Sequence, residues 1–245
     1  MSPIRSPAFQ QQHVGTLEVF GLTKRYGSHV AIIDAGLSAH PGEILGIIGP
    51  NGAGKTTLLE AMAGLLPCDN GHVRWNGVQQ RRRRDVIFYL PDGVRPYGDQ
   101  YVEHVLAFFA GIYPRTAGEL NTIVSAVGLG PVRGQRVRTL SKGFARRLVW
   151  AIGLLAPQPV LLMDEPFDGF DLRQTHEMMD LLRQVAAGGR CLILSIHQLR
   201  DAEQICDRIV LLAEGHMRGA GTLAELRLKT HQPDATLEDI FLALT

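Results

Sequence analysis

Apolar and polar positions divide this chain into three stretches of different rhythm. The first runs from Leu17 and holds short, strand-like segments. Leu17–Leu22 and His29–Ala39 predict the first two strands of an antiparallel group. The run Gly42–Gly49, GEILGIIG, is nearly all apolar, as expected of a strand buried on both faces of a parallel sheet. A helical period follows from Lys55 to about Leu65; His72–Gly77 predicts a strand ending in an Asn-Gly turn, and Asp85–Pro91 an apolar strand stopped by Pro91.

The rhythm changes between Val94 and about Leu155. Tyr101–Tyr113, Ala117–Leu129 and Lys142–Ala156 carry the apolar spacing of helices, with Gly and Pro between them. Strict alternation then begins: strand Pro159–Glu165, helix Leu172–Ala187, strand Arg190–His197, helix Leu199–Ile205, strand Arg208–Gly215. Such alternation predicts a parallel sheet with crossover helices. The tail from Gly221 to Thr245 predicts two short helices. The fold class expected is α/β: a RecA-like phosphate-loop core with a parallel sheet, an antiparallel β subdomain and an inserted all-helical subdomain. The expected boundaries are a disordered lead at 1–16 and one folded domain at 17–245. Within that domain 17–91 is the antiparallel and phosphate-loop part, 92–155 the helical insert, 156–215 the rest of the core and 216–245 a tail.

Composition narrows the class only a little. A hydrophobic share of 45% and a charged share of 20% are ordinary for a globular protein, and a formal charge of +1 gives no reason to expect nucleic acid. Three cysteines, Cys68, Cys191 and Cys206, lack metal or disulfide spacing and read as buried thiols in a reducing compartment. No stretch approaches the ~18 consecutive apolar residues that cross a bilayer, and the N-terminus lacks the apolar core of a secretory signal. Work at a membrane would therefore go through a partner. The run Arg81–Arg84 reads as a solvated turn; a phosphate- or lipid-binding patch would need more basic residues around it.

The densest chemistry is GPNGAGKTT, in which Gly49, Gly54, Lys55 and Thr56 match the phosphate-loop spacing G-x-x-x-x-G-K-[ST]. Glycines let successive backbone N–H groups curl around a phosphate, and the following helix adds its positive end. The candidate nucleotide-binding residues are Gly49, Pro50, Asn51, Gly52, Ala53, Gly54, Lys55, Thr56 and Thr57. Lys55 would reach the β- and γ-phosphates, and Thr56 would offer its hydroxyl to Mg²⁺. In VLLMDEP, four apolar residues deliver Asp164 to the edge of the sheet where α/β proteins bind ligands. Asp164 would hold Mg²⁺ through water, and Glu165 is the natural general base for an attacking water. His197 ends a third buried strand at the same edge, where an imidazole can sense a γ-phosphate.

In their order these pieces resemble the nucleotide-binding subunit of an ATP-binding cassette (ABC) transporter. Thr139–Pro166 is similar to the family's signature motif followed by its helix and its Walker B strand; Gly169–Asp171 is similar to the D-loop and His197 to the switch histidine. The resemblance implies an ATPase using ATP and Mg²⁺, with Tyr26 stacking on adenine. It implies two such subunits, identical or different, pairing head to tail, so that Ser141 and Gly143 of one meet the γ-phosphate held by the other. It implies a further partner, an integral membrane permease, and a cytoplasmic location against the inner face of the cell membrane. The form Ser141-Lys142-Gly143 and the closing TLEDIFLALT resemble exporter-type subunits serving six-helix permeases. The chain departs from the family pattern in three places: Lys142 and Phe144 in the signature, Phe167 and Leu172 around the D-loop, and Asp92 where the family places Gln. Asp92 is read either as the Q-loop residue beside Mg²⁺ or as a solvent-facing cap of the turn after Pro91. The alternative function is a soluble single-cassette ATPase acting as a scaffold without transport.

Overall fold

The computed structural model describes residues 15–245. Most of the expected lead at 1–16 lies outside the described residues, but Thr16 is already tied to Asn76: its N–H reaches the Asn76 Oδ1 at 3.0 Å, and its carbonyl accepts the Asn76 N–H at 3.0 Å.

Among the described residues the strands form two sheets. The smaller is antiparallel, in the order β2-β1-β4-β5, with β1 at Leu17–Tyr26, β2 at His29–Ala39, β4 at Asn70–Trp75 and β5 at Val78–Gln79. Leu17 pairs with Ala39 on one side and Trp75 on the other, which puts Leu17, Val19 and Leu22 on the covered face. The expected Asn-Gly turn joins β4 to β5, with Asn76 and Gly77 both at positive φ, as a two-residue hairpin of this hand requires.

The larger sheet runs β10-β9-β3-β8-β7-β6, with β3 at Ile44–Ile48, β6 at Ile87–Leu90, β7 at Val160–Asp164, β8 at Cys191–Ile196, β9 at Arg208–Ala213 and β10 at His216–Gly221. Every residue of β3, β7 and β8 is buried because both faces of the sheet are covered. Leu45, Ile47, Val160, Leu162, Cys191 and Ile193 point to one core, shared with helix α1 (Lys55–Ala63) and the antiparallel sheet. Their neighbours Ile44, Ile48, Leu161, Met163, Leu192 and Leu194 point to the other. That second core holds helices α2 (Val102–Ile112), α3 (Ala117–Ala126), α4 (Lys142–Leu155), α5 (Leu172–Ala187) and α6 (Leu199–Ile205). Each fully buried Leu or Ile there contributes about 1.5–3 kcal/mol by leaving water.

Strand β10 is a departure from the sequence reading, which ended the core at 215. HMRGAG has two glycines and no β-branched residue, so it carries no strand propensity of its own. Pairing with β9 imposes the conformation, through a turn in which Glu214 and Gly215 both adopt positive φ. The Gly215 carbonyl also accepts the Ile33 N–H at 2.9 Å, joining the two sheets behind the phosphate loop. Helices α7 (Leu223–Lys229) and α8 (Leu237–Leu244) complete the expected tail. Thr116, Thr222 and Thr236 start α3, α7 and α8, each with a reciprocal capping box to the acidic residue three places on. Of the arginine run, Arg83 donates to the Ala61 carbonyl at the end of α1, while Arg81, Arg82 and Arg84 are exposed. Cys191 is buried, and Cys68 and Cys206 are partly so; none is in a disulfide.

Candidate active site

Three parallel strands end in register at one edge: Ile48 of β3 pairs with Ile196 of β8, and Asp164 of β7 pairs with Ser195. The residues that follow, Gly49, Glu165 and His197, therefore emerge side by side. A Cβ on Gly49 would lie 2.1 Å from the Leu212 carbonyl oxygen, and one on Gly54 2.4 Å from that of Ala31. Only glycine lets the loop pass so close to β9 and β2, and Gly54, at φ 103, also caps α1. Lys55 is buried and its Nζ donates to the carbonyls of Gly49 at 2.8 Å and Pro50 at 3.3 Å. Glu165 Oε1 is 3.7 Å away.

The loop borders an open cavity of about 550 Å³, lined by Tyr26, Pro50, Asn51, Gly52, Gly54, Lys55, Thr56, Thr57, Asp92, Asp164 and Glu165. Ala53 is buried behind it. Tyr26 is half exposed on the rim, with Lys24 Nζ 5.1 Å from the centre of its ring. Gly49 and His197 face a neighbouring cavity of about 290 Å³ with Pro50, Asn51, Leu199 and Phe241.

Asp164 is only 2% exposed and its carboxylate is well supplied with donors. Oδ2 accepts the Thr56 hydroxyl at 2.7 Å and the Tyr89 hydroxyl at 3.4 Å, and Oδ1 accepts the Ser195 hydroxyl. Burial, with Asp164 close by, pushes the Tyr89 phenol far above its ordinary pKa, so it stays a donor. Ser195 in turn accepts the Glu165 N–H at 2.9 Å. Sequence reasoning missed Tyr89 and Ser195. Ser195 left a trace, being the one polar residue in the buried run Cys191–Ile196.

Glu165 adopts φ 46, a left-handed conformation rare for a residue with a side chain. This aims its carboxylate between Lys55 and His197, whose Nδ1 is 2.5 Å from Glu165 Oε2. A carboxylate, an imidazole and an ammonium thus converge beside the loop, a set able to take a proton from water next to an anion.

Ser141 and Gly143 are not among the residues lining this cavity. Ser141 is the N-cap of α4, its Oγ accepting the Phe144 N–H at 3.3 Å. Asp92 lines the cavity. Its Oδ1 accepts a charge-assisted bond from Arg146 Nη2 at 2.7 Å, while its side chain stays 49% exposed at the turn after Pro91, so it faces solvent and has an ionic partner at once. Among the described residues no group of three His, Cys, Asp or Glu side chains could hold a metal ion. The Thr56 hydroxyl and the Asp164 carboxylate do suit Mg²⁺, which takes a few hard oxygen donors and keeps much of its water. The Lys142 ammonium beside Asp168 holds that carboxyl below its ordinary pKa.

Comparison with known proteins converges on one family. The family model described as ABC transporter matches residues 33–168. A fluoroquinolones export ATP-binding protein of Mycobacterium tuberculosis is 30% identical over 232 residues, covering 90% of this chain and 76% of that protein. A probable multidrug ABC transporter ATP-binding protein of Escherichia coli is 31% identical over 239 residues, or 93% of this chain; this chain spans 41% of its length. A solved ATP-binding subunit of an ABC transporter, 27% identical, superposes with a TM-score of 0.85 over 93% of this chain and 98% of that one. The two-sheet core is accordingly that of an ATP-hydrolysing cassette, and the chain belongs to the ABC transporter family as an ATP-binding subunit.

Proposed function

We propose that this subunit powers export through a separate membrane permease, with Lys55, Glu165 and His197 as the catalytic groups. The observation that carries the catalytic part is the convergence of Glu165 with Lys55 at 3.7 Å and His197 at 2.5 Å at the mouth of the phosphate loop. The Lys55 ammonium is held at the loop by the Gly49 and Pro50 carbonyls and offers its remaining N–H to the β- and γ-phosphates, while backbone N–H groups of Gly52 to Thr56 surround the β-phosphate. Tyr26 offers a ring face to adenine. Thr56 and Asp164 would hold Mg²⁺, which when bound would neutralise charge on the phosphate oxygens. Glu165 takes the proton of the attacking water, and His197 hydrogen-bonds the γ-phosphate and steadies the Glu165 carboxylate.

Ser141 and Gly143, away from this cavity in their own chain, act on the nucleotide of a second subunit. The start of α4 presents N–H groups and a positive helix end there. The helical part at 92–155 meets the permease, which keeps the protein at the inner face of the cell membrane. Among the described residues no helix is long and apolar enough to cross a membrane. The direction of transport rests on the names of the relatives, two of which are drug-transport ATP-binding proteins. Those names leave the scaffold alternative without support.

Glu165→Gln tests the reading. An amide cannot accept the water's proton, so ATP should still bind while turnover stops, and two subunits should stay closed around ATP on a sizing column. Turnover within severalfold of the unaltered protein would refute the role of Glu165; no ATP-dependent change in mass, alone or with the permease, would refute the paired arrangement.

A further inference from the structure

Helix α4 grips the turn that carries Glu165 at three backbone carbonyls. Arg146 Nη2 donates to the Glu165 carbonyl at 2.8 Å, and Arg146 Nε to that of Asp168 at 3.2 Å. One helical turn along, the buried Trp150 donates its indole N–H to the Pro166 carbonyl at 3.2 Å, and its ring packs against Phe167 and Phe170. Arg146 also pairs with Asp92 at 2.7 Å, its own side chain 9% exposed and that of Asp92 49%. A second ion pair, Lys142 Nζ to Asp168 Oδ2 at 2.9 Å, runs alongside. Two positions that depart from the family pattern, Asp92 and Lys142, thus each have an ion-pair partner in this chain.

The turn needs such a hold. Glu165 sits in the left-handed region, which persists for a non-glycine residue only where its surroundings over-determine it. Its N–H is fixed by Ser195 from β8, and its carbonyl accepts both the Asp168 N–H at 3.2 Å within the turn and the Arg146 guanidinium at 2.8 Å from α4. The Ser195 anchor belongs to the core sheet, and the Arg146 anchor, the shorter of the two on the carbonyl, to the helix whose start bears Ser141 and Gly143.

We propose that Arg146 is a positioning residue for ATP hydrolysis: through the Glu165 carbonyl it sets the placement of the Glu165 carboxylate, and Asp92 is the anchor that aims the guanidinium. A shift of α4 is then felt directly at the general base. A lysine cannot replace it, since one ammonium on a flexible stem does not reproduce a planar fork reaching Asp92 and two carbonyls at once. The proposal rests on the reading of Glu165 as general base and adds to it the group that holds it in place.

The experiment uses the full chain and the variants Arg146→Gln, Arg146→Lys, Asp92→Asn and the double variant Arg146→Gln/Asp92→Asn. The readouts are kcat and KM for ATP, and the emission of Trp150 in a Trp75→Phe background. Both Arg146 variants should lower kcat roughly ten- to hundredfold, the worth of a charge-assisted hydrogen bond, with KM changed less than about twofold. Asp92→Asn should lower kcat less and add nothing once Arg146 is gone, as expected of groups acting in one chain. Trp150 emission should shift in the Arg146 variants as its contact with Pro166 loosens. If Arg146→Gln does not fold, Arg146→Lys, which keeps the charge, carries the test. An unchanged kcat, a rise in KM matching the fall in kcat/KM, or additive effects of Arg146 and Asp92 would overturn the proposal. Lys55→Ala separates the two readings. Activity that survives it overturns the active site and the positioning role together; activity that it abolishes, beside Arg146 variants that turn over normally, overturns the positioning role alone.

Discussion

Ser195→Ala is expected to destabilise the protein by about 3 kcal/mol, although the change removes one oxygen atom. Ser195 is 0% exposed, and its hydroxyl does two things at once. It donates to Asp164 Oδ1, and it accepts the Glu165 N–H at 2.9 Å. A hydrogen bond to a buried carboxylate contributes about 1.5–3 kcal/mol, and a buried N–H left unpaired costs about 1–3 kcal/mol. The two do not add fully because one atom supplies both, and Asp164 keeps the Thr56 and Tyr89 hydroxyls. In a chain of this size each kcal/mol moves Tm by about 2–4 °C, so thermal unfolding followed by circular dichroism should show a fall of about 6–12 °C. ATP turnover should fall with it, since the left-handed Glu165 loses the partner of its N–H and keeps only the bonds to its carbonyl. A Tm within about 2 °C of the unaltered protein, well inside the shift expected for a single lost bond, would refute the reasoning.

Gly49→Ala would place a Cβ 2.1 Å from the Leu212 carbonyl oxygen and 3.0 Å from the Ala53 Cβ. Neither a strand carbonyl nor a methyl fixed directly to the loop backbone yields cheaply, so about 1–3 kcal/mol of stability and most nucleotide binding should be lost, as read by thermal melts and titration with a fluorescent ATP analogue. Tyr26→Ala should raise KM for ATP and leave kcat nearly unchanged, because stacking, about 1–3 kcal/mol per base, acts alike on substrate and transition state; an unchanged KM would remove Tyr26 from the site. Bonds from Thr116, Thr222 and Thr236 hold the Glu119, Glu225 and Asp239 carboxyls below their ordinary pKa values. Their folded forms favour the ionised state, so this stabilisation is complete above the ordinary carboxylate value and is lost as pH falls through the lowered ones. Hydrogen exchange should show the starts of α3, α7 and α8 losing protection first on acidification; protection unchanged down to about pH 3 would contradict it.

The features legible in the amino-acid order are those encoded within a few residues. Nearly all-apolar runs at Ile44–Ile48, residues 160–163 and Cys191–Ile196, the last broken only by Ser195, read as strands covered on both faces, and the glycines of the phosphate loop announce backbone that no side chain tolerates. From these the parallel core, the loop and the placing of Asp164, Glu165 and His197 on one edge followed. Strand β10 did not, because nothing in HMRGAG favours a strand until β9 lies beside it. The polar partnerships were equally hidden. Ser195 meets a carboxylate 31 residues away, Arg146 one 54 away and the Tyr89 hydroxyl one 75 away. Periodicity records which face of an element is apolar, and so decides how elements stack. It carries no record of which polar group each will meet once stacked, because that depends on the register and separation of segments far apart in the chain. The hold on Glu165, and with it the geometry of the candidate site, was therefore decided by the tertiary structure alone.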